Sequence, residues 1–450
     1  MIEAQGTELH LGGIAVSQLV RKYGEPMYVY DAEVMESHYR KVRAAVPEEI
    51  EVLYSMKANP NVSVVAALER LVQGVEVSSL RELHVAQRAG FSADRIIFVG
   101  PSKTEAELRA AISTKISCLV IESEDELHRS DRIAAELGQK IQVALRINPA
   151  FDSTGSRLKM GGSARQFGID EEVIAEVINR ARSLKNVSIS GIHVYLGTRI
   201  LDHEVAWRNT SYVLELGRRL QTELGLEMRF IDFGGGLGVP YFTGENYFDI
   251  ERFGLEFREF FGPYRKSMGR TRFVMELGRY LVAESGVYVT RVQYVKTSRG
   301  QKFVLVTGGL NHHQATTSVG TLVKNHFPIE ILNKMNAEKT EEVTICGPLC
   351  TPTDVLGKSV KMAEVEPGDL IGILRSGAYG LSASPIKFLS HDHPVEVIVY
   401  KGRAFLIRER SAVEEILDHQ ALVALDIQGQ SLSPTSTIRA DSRSISSSTD

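Results

Sequence analysis

The sequence has little cysteine. Three residues in 450, Cys118, Cys346 and Cys350, are too few and too odd in number for a disulfide framework, and none sits in a four-ligand metal spacing. Any cysteine with a chemical role would act as a thiol. Positive charge is not in excess either: 52 Lys and Arg against 56 Asp and Glu leave a net charge of -4, which gives no electrostatic pull on a phosphate backbone and argues against a nucleic-acid partner. No window approaches 18 uninterrupted apolar residues, and residues 1–10 lack the charged-then-apolar pattern of a signal peptide, so no membrane association is expected and the expected location is cytoplasmic. With 43% hydrophobic and 24% charged residues the composition is that of an ordinary globular chain. Only residues 426–450 look unable to fold: the last twenty hold eight serines and three widely spaced large aliphatics, too little apolar surface to offset the entropy of ordering, and a disordered tail is expected there.

What is present is a long alternation of short β-branched runs with amphipathic stretches. Strands are expected at 51–57, 74–77, 95–99, 117–121, 142–147, 188–195, 229–233 and 271–276, with helical patterns between them and a further helix at 32–46. Eight strands alternating with helices over residues 31–280 predict an α/β fold, a (β/α)₈ barrel. From residue 281 to 425 strands follow one another without helices (287–295, 302–307, 342–345, 370–374, 395–400, 404–408), which predicts a C-terminal all-β domain. The stretch 152–168, rich in Gly and Ser after the fifth strand, reads as an active-site loop.

Barrel chemistry gathers where strands end. Lys57 ends the first strand in YSMKANP, His193 and Tyr195 the sixth in GIHVYLGT, three glycines follow the seventh in DFGGGLG, and Glu276 ends the eighth in MELGRY. A lysine in an apolar strand is expected to be desolvated, with a lowered pKa that suits Schiff-base formation; alone, it could equally be an ion-paired lysine at the rim. Three glycines expose N–H groups that can surround a phosphate, or simply make a tight turn. A buried carboxylate can keep a pyridine nitrogen protonated, or pair with Arg279. The conjunction of the three describes a pyridoxal 5'-phosphate (PLP) site.

These motifs resemble the fold type III, alanine-racemase-fold PLP decarboxylases, the family of diaminopimelate, ornithine and arginine decarboxylases, from PMYVYD at 26–31 to SGAYG at 376–380. The resemblance implies that Lys57 bonds the cofactor, that Gly235, Gly236, Arg279 and Tyr379 hold its phosphate, and that Glu276 meets its pyridine nitrogen. It also implies that Cys350, in CGPLCTPTD, protonates the substrate carbon from the partner subunit of a homodimer, and that residues 1–30 join the β domain. Where the family's G-x-H-x-H-x-G-S pattern has a second His and a Ser, this chain has Tyr195 and Thr198; a tyrosine can still stack on a pyridine face. His193 matches the first His, or is a core histidine. After the cysteine, members acting on basic amino acids place an acid; here stands Thr351, with Asp354 the nearest acid, and 308–320 lacks the arginine that diaminopimelate decarboxylases use for the distal carboxylate. KMGG, QFGID, GVPYF and GPLCTP look more like the L-glutamyl-[acyl-carrier protein] decarboxylases and exosortase-associated PLP decarboxylases. The expected function is therefore α-decarboxylation of an L-amino acid that is carrier-tethered or side-chain-modified, with the acyl-carrier protein as a partner. Diaminopimelate decarboxylation and a non-catalytic PLP-binding regulator are the alternatives; retention of both Lys57 and Cys350 argues against the second. His312, His313, His391 and His393 are read as non-ligands, Cys118 as core, and Cys346 as structural.

Overall fold

The computed structural model describes residues 3–150, 158–159, 164–317 and 325–421. Eight parallel strands form the barrel: β1 Ile50–Ser55, β2 Gly74–Val77, β3 Ile96–Phe98, β4 Cys118–Ile121, β5 Ile141–Asn148, β6 Val187–His193, β7 Phe230–Gly235 and β8 Arg272–Leu277. Each pairs with its neighbour in sequence, and β8 pairs with β1, so that the ring is closed. The predicted strand series is thus observed. Inside the ring Leu53, Ile97, Val120, Ala144, Phe230 and Val274 form a packed core, and Cys118 belongs to it as expected. Helices start where the sequence supplies caps: the side chains of Ser79 and Ser123 accept the N–H of the residue three further on, and Thr104 with Glu107 forms a capping box.

Three glycines shape the top of β7. Gly234 and Gly236 have φ of 66° and 80°, a region that L side chains disfavour, and a Cβ on Gly235 would stand 2.0 Å from the Glu276 carbonyl oxygen. The close approach of β7 to β8 therefore requires glycine independently of any ligand.

The second sheet is built from Gly286–Ser298, Gln301–Val306, Glu341–Cys346, Val355–Met362, Leu370–Leu374, Val395–Tyr400 and Arg403–Arg408. At its centre lies Met27–Asp31, antiparallel to Gly286–Ser298 and parallel to Val395–Tyr400, buried along its whole length. Strands Val355–Met362, Ile329–Ile331 and Met27–Asp31 are absent from the predicted set. Val355–Met362 (VLGKSVKM) breaks alternation with Gly357 and two lysines, and it pairs with Glu341–Cys346 through register shifts. The expected tail and most of the expected loop at 152–168 lie outside the described residues.

The sheet is fastened to the barrel by a buried carboxylate. Glu396 accepts from the Tyr30 hydroxyl at 2.7 Å and from the side-chain amide of Asn61, the cap of helix Val62–Glu69, at 2.9 Å, and it pairs with Arg408. Replacing it by alanine leaves the Tyr30 hydroxyl and the Asn61 amide buried and unpaired, at a cost of about 2–4 kcal/mol. Glu396→Ala is expected to lower the urea midpoint accordingly; an unchanged midpoint would show that the junction does not depend on it.

Candidate active site

Lys57 lies in a single 3₁₀ turn, Met56–Ala58, that directly follows β1. Its Nζ is 3.1 and 3.0 Å from the two carboxylate oxygens of Glu76 on β2 and 5.3 Å from the centre of the Tyr195 ring. Glu76, fully buried, also accepts from Ser78 at 3.0 Å and from Ser55. The expected lowering of the Lys57 pKa is not what the structure holds. Burial pulls it down, but the charges of Glu76 and Glu276 outweigh that and set it above the ordinary lysine value. Lys57 is an ion-paired lysine in the absence of a ligand, and its readiness to react depends on what neutralises Glu76.

Behind it stand three buried groups, His193, Asp232 and Glu276, whose ligand atoms lie within 4.8 Å of one another. His193 Nε2 is 3.5 Å from Glu276 Oε1, yet neither ring nitrogen and neither Glu276 oxygen has a hydrogen-bond partner. Burial and the adjacent Glu276 push the Asp232 carboxyl well above the usual range, while for Glu276 the His193 ring and the Lys57 ammonium overcome burial and hold it well below. One acid of the pair is therefore protonated and Glu276 is the carboxylate. Asp232 Oδ1 accepts the Gly234 N–H at 2.8 Å, which ties this acid to the glycine turn.

Arg279, the first residue of a short helix after β8, donates to the Tyr241 hydroxyl at 3.0 Å and lies 4.5 Å over the Tyr379 ring; its Nε is buried without a partner. Tyr379 comes from the β domain with a φ of 55°, and its N–H donates to the Ala58 carbonyl at 2.7 Å. The Asn59 side chain donates to the Gly377 carbonyl at 3.1 Å, so the 376–380 loop is pinned to the Lys57 turn. Burial, with Tyr195 adding to it, pushes the Tyr379 phenol up to about 12. Thr198 sits at the rim, where Gly197–Thr198 pairs with Leu158–Lys159.

The structure thus brings Lys57, His193, Tyr195, Gly235, Gly236, Glu276, Arg279 and Tyr379 to one mouth. Cys350, Thr351 and Asp354 belong instead to the loop between Glu341–Cys346 and Val355–Met362. Cys350 is an exposed thiol, and the Thr351 hydroxyl contacts that of Thr353 at 2.9 Å. The substrate-facing role expected of Asp354 is not supported: it is 3% exposed, its Oδ1 accepts the Leu310 N–H at 2.6 Å and its Oδ2 the Leu349 N–H at 2.8 Å. Its carboxylate braces the loop. Cys346 is half-buried beside it, in the structural position expected. His312 and His313 are buried among Tyr288, the Asp392 carbonyl, Ser376 and Thr316, and burial lowers them to about 4 and about 3, which makes them neutral core members.

Glu76, Asp232 and Tyr241 were not among the predicted residues. The first two carried a signal, a single acid inside an apolar strand (GVEV, FIDFGG), which is the feature that marked Lys57.

The fit to PLP rests on unsatisfied groups. Free acceptors on Glu276, a free donor on Arg279 beside the glycine turn, and an amine beside them suit a pyridine nitrogen, a phosphate and an aldehyde respectively. A barrel of this topology with that cluster at its mouth defines an enzyme built around a bound aldehyde cofactor. Residues 32–283 match the profile of the "Pyridoxal-dependent decarboxylase, pyridoxal binding domain", and the chain belongs to this family of PLP-dependent decarboxylases. It is 39% identical over 416 residues to the L-glutamyl-[BtrI acyl-carrier protein] decarboxylase of Niallia circulans, covering 92% of this chain and 97% of that one. With the diaminopimelate decarboxylase of Aquifex aeolicus it shares 29% over 418 residues, 93% and 96% of the two chains. The crystal structure of diaminopimelate decarboxylase from M. jannaschii superposes with a TM-score of 0.85 at 26% identity, covering 94% of this chain and 98% of that one.

Removing the Glu76 charge leaves burial as the dominant influence on Lys57, so its pKa falls and the neutral amine appears at lower pH. In Glu76→Gln the pH at which apoprotein takes up PLP covalently is expected to drop by roughly one unit, read by borohydride trapping and peptide mapping to Lys57. An unshifted profile, or trapping on another lysine, would contradict this assignment.

Proposed function

We propose that the chain decarboxylates the α-carbon of an L-amino acid whose side-chain carboxyl is tied to a carrier protein or otherwise modified. The observation that carries this reading is the uncharged neighbourhood of Cys350: the next residue is Thr351, and the nearest acid, Asp354, has both oxygens engaged by backbone N–H groups. A free distal ammonium would find no partner there, at a cost of several kcal/mol. The likeness to the Niallia circulans enzyme supports the carrier-linked form, and a Staphylococcus aureus relative at 30% identity, 2-[(L-alanin-3-ylcarbamoyl)methyl]-2-hydroxybutanedioate decarboxylase, by its name also takes a modified amino acid.

In this reading Lys57 holds the cofactor aldehyde, Gly235, Gly236, Arg279 and Tyr379 its phosphate, Glu276 its ring nitrogen, and Tyr195, His193 and Thr198 complete the cleft. When bound, PLP supplies the electron sink for the pair left behind as CO₂ departs. Glu276, ionised beside a protonated Asp232, accepts the N–H of a pyridinium and keeps it protonated. Cys350 Sγ delivers a proton to the substrate carbon. The family resemblance implies that Cys350 acts from the second chain of a homodimer, and its exposed position on the β domain supports this reading.

Two measurements test this. Release of CO₂ from a glutamyl thioester on a carrier protein is expected to outpace that from free diaminopimelate, lysine, ornithine and arginine; fastest turnover of diaminopimelate would establish lysine-pathway chemistry instead. Mixing inactive Lys57→Ala with inactive Cys350→Ala is expected to restore up to about a quarter of the activity under random subunit exchange, since one site of each mixed dimer receives both residues. No recovery despite demonstrated exchange would place both on one chain.

A further inference from the structure

A cavity of about 380 Å³ lies against the loop that carries Cys350, on the outer face of the strands Gln301–Val306, Glu341–Cys346 and Val355–Met362. Its size is that of a small-molecule site. Along Gln301–Val306 burial alternates, with Val304 and Val306 turned inward and Phe303 half-exposed on the outer side. Phe303 pairs with Thr344 across the parallel ladder, and both line the cavity. Pro352 and Thr353, two and three residues beyond Cys350, line it, so the cavity adjoins the loop that carries Cys350. The lining divides by chemistry. Phe303, Pro352, Val355 and Leu356 give it apolar surface; Gln301, Thr344 and Thr353 offer amide and hydroxyl groups. The cation of the lining, Lys358, is exposed and makes no ion pair among the described residues.

We propose that this cavity binds the amide-bearing, phosphate-terminated thioester arm that joins an aminoacyl group to a carrier protein, with Lys358 meeting the phosphate. The inference rests on the substrate class argued above and names the surface that would recognise it. Such an arm is long, flexible and neutral until its phosphate. It needs apolar contact for its methylene and methyl groups, hydrogen-bond partners for its amides, and one cation at the far end. The cavity offers all three kinds of contact, its cation being Lys358, which makes no ion pair among the described residues.

The test compares glutamyl thioesters of phosphopantetheine, pantetheine and N-acetylcysteamine on holoenzyme. Thr344→Phe, which fills the trough, is expected to lower kcat/KM at least about tenfold for the first two through KM, and to leave the N-acetylcysteamine thioester within about twofold. Turnover of that short thioester also shows that the variant is folded. Lys358→Ala is expected to lower kcat/KM for the phosphopantetheine thioester alone, up to about fivefold, until it matches the pantetheine thioester. Equal losses on all three thioesters would make the trough a support for the Cys350 loop or a contact with a second chain, and would overturn the proposal, as would no loss at all. Wild-type enzyme that decarboxylates none of the three would remove the substrate class itself, and with it the inference; wild-type turnover of all three without discrimination by either variant would remove the inference alone.

Discussion

The constraint on which this molecule depends is a buried cluster of charge at the barrel mouth. Glu76, Asp232 and Glu276 are all but inaccessible to water, and one lysine ammonium and one histidine face them. Carboxylates in such a place are costly unless paired, and Lys57 pairs with Glu76 at 3.0 Å. The consequence is functional: burial favours the neutral amine of Lys57, and the charges of Glu76 and Glu276 together outweigh it, so the ligand-free state holds an ammonium.

The fold supplies this cluster through strand ends and two domain contacts. The Lys57 turn is held from outside by the Ala58 carbonyl and the Asn59 amide, which bond to the 376–380 loop of the β domain. Tyr379 thereby arrives over Arg279 at a fixed distance from the lysine's own turn. The β domain is in this way part of the barrel's mouth as well as the carrier of Cys350, and its central strand, Met27–Asp31, leads straight into the helix that precedes β1. Movement of one domain relative to the other would displace Tyr379 from Arg279 and disturb the Lys57 turn together.

Much of this was legible in the sequence because each feature follows a local rule. Strands of the barrel announce themselves as buried β-branched runs, and the observed bounds differ from the expected ones by only a residue or two at most ends. The glycines after β7 were legible as glycines but not as what they do: a Cβ on Gly235 would strike β8, and one on Gly236 the Gly197 carbonyl, so backbone packing requires them whatever they bind. Three things were hidden. Strand Val355–Met362 owes its form to pairing with Glu341–Cys346 through register shifts that break the alternation. The direction of the Lys57 pKa depends on Glu76, nineteen positions away. The role of Asp354 depends on two backbone N–H groups, one of them 44 residues distant. In each case a specific contact decides, and periodicity does not carry it.

The acid pair shows how structure and chemistry meet in one residue. Two carboxyls this close in a dry site cannot both ionise, so the proton settles on one and the charge on the other. Asp232 takes the proton because, beyond the single Gly234 N–H, burial and the facing Glu276 are the dominant influences on it, whereas Glu276 has His193 and Lys57 to favour its charge. That choice leaves the carboxylate on β8, beside the Arg279 helix, and the neutral acid on β7, bonded to the first glycine of the turn. A ring lying between β8 and the turn would meet a negative charge at its nitrogen, while its phosphate would meet N–H groups and a guanidinium with a free donor. The two carboxyls lie within 4.8 Å of one another, so whichever of them holds the proton the negative charge stays at this one place in the cleft, and a cofactor with a basic nitrogen would set that nitrogen here.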